Sequence, residues 1–243
     1  MPGEPNHRQV VVLAPLPLEL EAVVVAFGLG GAATGEPVGT VGDSEVTAVL
    51  CGMGPAAARA ATTRRFEEAD LGGRRIDHVM VVGICGGLRD DHPVGTLLNP
   101  DRVVLQATGA TYRHRPPGTG PRDGTLVTTE EVLLDPSLTR RMVDAGAWAV
   151  DMESAAVAEV CEDRRCRWSV YRCISDRVAD GLLDDRVLAL THPDGSVDGE
   201  AVTRLLAEEP ELAARLERLG RDTQVAATRA AEAAYRGCLA LDA

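Results

Sequence analysis

The stretch VDMESAAVAEVCEDRRCRWSVYRCISDRVAD, residues 150–180, decides the fold that the sequence predicts. It begins with a strand end that carries Asp-Met-Glu. It continues as a helix of small residues, and it closes with a second strand that ends in Arg-x-Ile-Ser-Asp. Glu153 and Asp176 therefore fall at the ends of neighbouring elements. Because open α/β sheets bind ligands beyond the carboxyl ends of their strands, these two acids mark a candidate site.

Strands and helices alternate on both sides of this stretch, which predicts an α/β fold. Apolar, β-branched runs predict strands at 9–14, 45–51, 78–82, 96–107, 126–129 and 147–151. Helical patterns are found at 19–27, 57–68, 136–145, 200–207, 211–219 and 223–239. The first strand lacks alternation, as expected of a strand buried on both faces. No internal repeat or linker interrupts the pattern, so we expect residues 1–243 to form one domain.

Composition excludes several classes of protein. The net charge of −12 argues against a nucleic-acid partner, because phosphate binding needs a basic surface. The six cysteines form no C-x-x-C pair and no regular spacing, so we expect neither a disulfide framework nor a metal site. The N-terminal residues lack the apolar core of a signal peptide, and no uncharged run approaches the ~20 residues of a membrane span. We expect a cytoplasmic enzyme or binding protein without a membrane span.

Three other strand ends carry residues suited to a site. Glu19 lies near a strand-to-helix turn, where an acid also suits the helix N-terminus. The run Gly52-Met-Gly-Pro-Ala-Ala57 follows a strand and matches the G-x-G-x-x-A dinucleotide fingerprint, or it is simply a tight turn. At 83–88, three glycines in five residues follow a predicted strand and would let backbone N–H groups face a ligand.

Residues 114–124, HRPPGTGPRDG, predict a surface loop and a candidate lid.

These motifs resemble those of the purine nucleoside phosphorylase/methylthioadenosine nucleosidase superfamily. The resemblance covers about residues 9–180 and rests on APLPLELEA at 14–22, GICGGL at 83–88, VDMESAAVAEVC at 150–161 and YRCISDRVAD at 171–180. It implies a three-layer sandwich with a central mixed, twisted sheet and C-terminal helices, assembled as a homodimer or higher homo-oligomer. The helical tail, together with GICGGL, is most similar to the hopanoid-associated phosphorylase branch, thought to act on adenosylhopane.

The resemblance also implies residue roles. Asp176 matches the acid that protonates the purine, and Glu153 matches the acid that accepts hydrogen bonds from the ribose hydroxyls. Glu19 matches the acid that takes a proton from the attacking water, with Arg172 near that water or phosphate. The other residues implied or guessed to contact the substrate are Met152 under the sugar, Ser175, Ile84, Cys85, Gly86, Thr129 and Val132.

Three positions depart from the pattern of the family. Ile84 stands where many members have Ser or Thr, and Val81 stands where hexameric phosphorylases have an Arg. Val132 lies about where nucleosidases place a stacking Phe. The first two departures disfavour the usual phosphate site without deciding between hydrolysis and phosphorolysis. Phosphate is therefore the one candidate co-substrate, and no other cofactor is implied.

The sequence thus predicts an enzyme that cleaves the N-ribosyl bond of an adenosine-like purine nucleoside and releases the base. A nucleoside- or nucleotide-binding module of the same fold without catalysis is the alternative, since a fold does not fix a function. A dinucleotide oxidoreductase, resting on residues 52–57, is the third interpretation.

Overall fold

The computed structural model describes residues 7–31, 35–114, 124–192 and 196–242. The strands are β1 (Arg8–Ala14), β2 (Val38–Val41), β3 (Ser44–Leu50), β4 (His78–Gly87), β5 (Leu97–Leu98), β6 (Arg102–Leu105), β7 (Thr111–Tyr112), β8 (Thr125–Thr128), β9 (Ala147–Asp151) and β10 (Arg167–Arg177). The helices are α1 (Pro17–Phe27), α2 (Pro55–Leu71), α3 (Pro136–Asp144), α4 (Ser154–Asp163), α5 (Asp185–Leu188), α6 (Gly199–Glu208) and α7 (Ala213–Leu239).

The strands form one ten-stranded sheet, which confirms the predicted α/β fold with a central mixed sheet. Its main path runs β2-β3-β1-β4-β9-β8-β6-β7, and β10 pairs with β4 and β5. The pairs β1–β3, β1–β4 and β4–β10 are parallel, whereas β4–β9 is antiparallel. β4 therefore contacts three strands, β1, β9 and β10. The ends of these strands meet in one region of the molecule.

Helices cover both faces of the sheet and bury it in two cores. Val10 and Val12 of β1 pack into a core with α1 and α7, whereas Val11 and Leu13 pack into a core with α2 and α4. Because β1 is apolar on both faces, its sequence shows no alternation. The third core, smaller than these two, packs α3 against β8 and β9.

The glycine-rich run after residue 82 is part of a strand, so the prediction of a strand end there was wrong. β4 continues to Gly87 and stays paired with β10, from Gly83 opposite Arg172 to Gly87 opposite Arg177. The glycines are needed for space. A Cβ at Gly83 would lie 2.0 Å from Glu19 Oε1, and one at Gly87 would lie 3.0 Å from an Ile174 methyl group.

Two other predicted elements differ in the structure. Residues 96–107 contain two short strands, β5 and β6, instead of one, because the chain turns through Asn99 and Pro100 between them. The helices predicted at 211–219 and 223–239 are one helix, α7, which continues through Gly220. A glycine inside a helix costs only about 1 kcal/mol, and the packing of α7 on the sheet outweighs that cost.

Two predictions are left open. The candidate lid at 114–124 falls mostly on 115–123, which lie outside the described residues. The prediction of a single domain also stays a prediction. Among the helices described, none is long and apolar enough to cross a membrane.

Candidate functional site

A cavity of about 1120 Å³ lies beyond the carboxyl ends of β1, β4, β9 and β10. It is larger than the about 300–1,000 Å³ typical of small-molecule sites. Every residue predicted for the site lines this cavity: Glu19, Ile84, Cys85, Gly86, Thr129, Val132, Met152, Glu153, Arg172, Ser175 and Asp176. The fold thus brings together side chains from four separate motifs.

Arg172, on β10, is the centre of the polar part of the cavity. It is only 1% exposed and faces three carboxylates. Its Nε donates to Asp151 Oδ2 at 3.0 Å, and one terminal nitrogen donates to Glu153 Oε2 at 2.8 Å. The other terminal nitrogen donates to the carbonyl of Ile84 at 3.1 Å and lies 3.6 Å from Glu19 Oε1. These carboxylates compensate the burial of the guanidinium, and their charges keep the pKa of Arg172 above its usual value.

Glu19 enters the site from the first turn of α1, and two backbone groups fix its carboxylate. Oε1 accepts from the Ile84 N–H at 2.7 Å, and Oε2 accepts from the Leu16 N–H at 2.7 Å. The carboxylate and the Arg172 guanidinium both pack against the bare backbone of Gly83. Burial raises the pKa of Glu19 to about 7, although Arg172 opposes that shift. This pKa suits a group that takes up and releases a proton near neutral pH.

Glu153 lies at the start of α4, but its carboxylate does not cap that helix. Oε1 accepts from the Gly54 N–H at 2.9 Å, and Oε2 accepts from Arg172. Burial raises the pKa of Glu153, and Arg172 opposes the shift. Gly52 and Gly54 adopt φ values of 77° and 88°, which favour glycine. The predicted glycine fingerprint thus positions Glu153, and its Gly54 N–H already has a protein partner.

Asp176 lies near the end of β10, where a bulge changes the register between Ile174 and Asp176. The Ser175 hydroxyl donates to Asp176 Oδ1 at 2.7 Å. In the described part of the chain Asp176 forms no ion pair, unlike Glu19 and Glu153. Burial raises the pKa of Asp176, and only the Ser175 hydrogen bond opposes that rise appreciably. The site thus contains buried acids in two environments, with and without a cation beside them.

Asp151 also lines the cavity and contacts Arg172, although the sequence did not single it out. Its Oδ1 accepts from the Thr128 hydroxyl at 2.6 Å, and its Oδ2 accepts from Arg172 and from the Ser154 hydroxyl. The Ser154 N–H also donates to Oδ2, at 3.2 Å, so that Asp151 holds the first turn of α4. An acid just before a predicted helix was the signal that could have identified it, because carboxylates favour helix N-termini.

The remaining predicted residues form walls rather than charged contacts. Met152 and Ile84 are partly buried, and the Thr129 hydroxyl donates to the Glu131 carbonyl at 2.8 Å. Cys85 is buried, and its burial raises the pKa of the thiol, so that the thiol stays protonated. No aromatic side chain lines the cavity among the residues that the structure describes. A base here would therefore contact aliphatic groups such as Val132.

The segment after β10 supplies a large apolar part of the cavity, which the sequence analysis did not predict. The residues that contribute include Val178, Leu190, Val202, Leu216 and Leu219. The first turns of α7 line the cavity, whereas its later turns pack on the sheet. Over the described ranges, no group of three or more His, Cys, Asp or Glu residues is arranged to hold a metal ion.

Comparison with known proteins agrees with this fold. Residues 10–147 and 121–209 match the model of the phosphorylase superfamily, and the chain belongs to that family. A futalosine hydrolase of Streptomyces coelicolor is 29% identical over 178 residues, which are 62% of this chain and 76% of the relative.

Solved structures share the fold over nearly the whole chain. A 5′-methylthioadenosine/S-adenosylhomocysteine nucleosidase of Helicobacter pylori has a TM-score of 0.67 at 15% identity, over 97% of this chain and 99% of that one. A futalosine hydrolase of Helicobacter pylori has a TM-score of 0.66 at 15% identity, over 97% of both chains. The narrower resemblance to the hopanoid-associated branch stays a prediction.

Proposed function

We propose that this protein cleaves the N-ribosyl bond of an adenosine-like purine nucleoside, with water as the acceptor. One observation carries the proposal: a single cavity holds Asp176, a buried acid without a cation, together with Glu19, a buried acid beside Arg172. Bond cleavage leaves negative charge on the base and needs a new bond at the ribose carbon. The two environments suit a proton donor for the base and a proton acceptor for the nucleophile.

The chemistry balances with these two groups. As the C1′–N9 bond breaks, its electron pair goes to the purine, and Asp176 gives its proton to N7. Glu19 takes a proton from water, and the water oxygen forms the new bond to C1′. The products are ribose and the free base, and a proton passes from Glu19 back to Asp176 through solvent. Burial of Asp176 favours the protonated form that this role requires.

Glu153 and Met152 are proposed to hold the sugar. Each oxygen of Glu153 accepts one hydrogen bond within the protein, from Gly54 or Arg172, and has a second lone pair free for a ribose hydroxyl. Met152 would lie under the ribose as an apolar surface. The whole cavity, at about 1120 Å³, is larger than the about 300–1,000 Å³ of typical small-molecule sites, which favours a substrate with a substituent on the ribose.

Water is favoured over phosphate by the charges around Arg172. Three carboxylates face this one guanidinium, so an added phosphate would meet net negative charge. Ile84 offers no hydroxyl to a phosphate oxygen. Two of the similar proteins also support hydrolysis, since one is a futalosine hydrolase and the other is a nucleosidase. Other family members are phosphorylases by name, so phosphate remains the competing acceptor.

The test is to incubate purified protein with adenosine, 5′-methylthioadenosine and other 5′-substituted adenosines, each with and without phosphate. Chromatography would then measure free base and the sugar product. We expect free adenine at equal rates in both conditions. Release of base only with phosphate would contradict the acceptor. Tight calorimetric binding of a nucleoside without any turnover would instead support the non-catalytic binding module.

A further inference from the structure

Oxygen atoms of the protein surround every nitrogen of the Arg172 guanidinium. A guanidinium has five N–H groups. Nε donates to Asp151 Oδ2 at 3.0 Å, one terminal nitrogen donates to Glu153 Oε2, and the other donates to the Ile84 carbonyl. Two further contacts are ion pairs, from Asp151 Oδ2 at 3.0 Å and from Glu19 Oε1 at 3.6 Å. An external anion would therefore approach Arg172 among oxygens of three carboxylates, which repel it.

Asp151 is the partner that fixes this arrangement. Its Oδ2 lies 3.0 Å from two of the three guanidinium nitrogens, and the carboxylate is itself held from two elements. Thr128 at the end of β8 donates to one oxygen, and Ser154 in α4 donates to the other. Asp151 is 6% exposed, so water competes little for its oxygens. Its position therefore does not depend on a ligand.

We propose that Asp151 is a specificity-determining, positioning residue that commits Arg172 to the carboxylates of the protein and so excludes phosphate from the acceptor position. Without its charge, an anion would meet less repulsion beside Arg172, at the place where the nucleophile attacks. The inference rests on the proposed function, because it concerns which nucleophile reacts. Whether Asp151 keeps an anion away from Arg172 can nevertheless be measured without any nucleoside.

The charges on every side of Arg172 support this assignment. Glu19 faces it from α1, Glu153 from the start of α4 and Asp151 from the end of β9. The thiols of Cys51 and Cys85 also lie in the field of Arg172, but burial keeps them protonated. Glu19 and Glu153 accept hydrogen bonds from the backbone N–H groups of Ile84 and Gly54. Asp151 does not contact these groups, since its donors are three side chains and the Ser154 N–H. Its removal therefore changes the charge while the supports of Glu19 and Glu153 stay in place.

The first experiment measures binding of inorganic phosphate by calorimetry and by ³¹P NMR line broadening, with no nucleoside present. Three proteins are compared: wild type, Asp151→Asn and Asp101→Asn. Asp101 pairs with Arg113 at 2.7 Å on the surface, so its variant removes the same charge away from the cavity. We expect Asp151→Asn to bind phosphate at least ~10-fold more tightly than the other two, since one charge-assisted hydrogen bond is worth about that factor.

The second experiment follows the sugar product of nucleoside cleavage in phosphate buffer. For wild type we expect free ribose. For Asp151→Asn we expect a lower rate and some ribose 1-phosphate, formed when a phosphate oxygen bonds to C1′ as the C1′–N9 bond breaks and Asp176 protonates the base. A variant that only loses stability would make less product of the same kind, so the change of product separates the two roles.

Equal phosphate binding by Asp151→Asn and wild type would overturn the proposal. Saturable phosphate binding by wild type that Arg172→Lys abolishes would overturn it as well, and that arm needs no Asp151 variant to fold. If wild type cleaves no nucleoside, the proposed function fails, whereas the phosphate measurements still decide whether Asp151 keeps anions from Arg172.

Discussion

Asp176 and Glu19 show at the residue scale how the surroundings of a carboxyl group determine what it can do. Both are buried, and burial raises the pKa of both. Glu19, however, accepts two backbone hydrogen bonds and lies beside Arg172, which favour its ionised form. Asp176 has the Ser175 hydroxyl as its hydrogen-bond partner. The asymmetry predicts opposite roles for the two acids, a proton donor and a proton acceptor.

Replacing Asp176 by Asn tests the donor. Asn cannot supply a proton but keeps the shape of the side chain, so we expect kcat to fall by ~10²- to 10⁴-fold. Nucleoside binding, measured by calorimetry, should change little. The control is Asp184→Asn, which removes an acid paired with Arg186 and Arg215 outside the cavity. An Asp176→Asn protein with full activity would exclude this residue from the mechanism.

The pH dependence of the rate tests the acceptor. Glu19 must be ionised to take a proton, and its pKa is about 7. The ionised fraction therefore rises as the pH rises from 6 to 8, and kcat/KM should rise along a limb centred near pH 7. The residual activity of Glu19→Gln should lack the limb near pH 7. A limb that persists unchanged in this variant would assign it to another group.

The sequence predicted which residues belong to the site better than it predicted the contacts among them. Glu153 and Asp176 could be found because whole motifs surround them. Asp151, one residue before Met152, was missed because its role depends on Arg172 and Thr128, which are distant in sequence. The sequence drew attention to Gly83, but it could not show why a glycine is required there. A glycine needed for the Glu19 carboxylate looks, in sequence, like a glycine needed for a turn.

At the element scale, α7 combines two environments in one helix of 27 residues. Its first turns line the cavity, and its later turns, from Ala226 to Cys238, are buried against the sheet. The sequence suggested two helices because Gly220 and the polar residues after it interrupt the apolar pattern. Only tertiary packing keeps the helix continuous, and a single-sequence pattern does not contain that information.

Two glycines of α7 provide a matched test of this description. Gly220 is exposed, and a Cβ there would meet nothing within 4 Å. Gly220→Ala should therefore raise the free energy of unfolding by about 1 kcal/mol through helix propensity. A Cβ at Gly237 would lie 1.9 Å from the Tyr171 hydroxyl, so Gly237→Ala should lower it by about 1–3 kcal/mol through overpacking. Urea unfolding of both variants measures the effects. Equal changes in the free energy of unfolding of the two variants would contradict a continuous helix that is exposed at Gly220 and buried at Gly237.

At the scale of the whole molecule, the sequence predicted the alternation of elements and the mixed sheet but not the extent of the cavity. Buried strands such as β1 are visible as apolar runs. The apolar part of the cavity is assembled from segments between Val178 and Leu219, whose side chains face inward only once the chain has turned over the site. A net charge of −12 does not indicate it, because the apolar side chains that assemble this part carry no charge.

One buried histidine contributes a part of the stability of the whole molecule that should be lost in mild acid. His78, at the start of β4, is 1% exposed and contacts the Ser169 hydroxyl at 2.8 Å through Nε2. Burial, with the charges of Arg167 and Arg8, lowers its pKa from 6.5 to about 4. The unfolded chain therefore binds a proton below pH 6.5 that the folded chain does not bind until about pH 4. The contribution of neutral His78 to the free energy of unfolding is therefore fully present above pH 6.5 and is lost as the pH falls towards 4.

The expected loss is about 2 kcal/mol at pH 5 and about 3 kcal/mol below pH 4, from 1.36 kcal/mol per pKa unit. The raised pKa of Glu19 acts in the opposite direction, since it favours the folded state below pH 7. The measurement therefore compares urea unfolding of wild type and His78→Gln at pH 7 and pH 5. Glu19 contributes equally to both proteins, so their difference isolates His78. We expect wild type to lose about 2 kcal/mol more than His78→Gln between the two pH values. Parallel losses would show that His78 is protonated in the fold without cost.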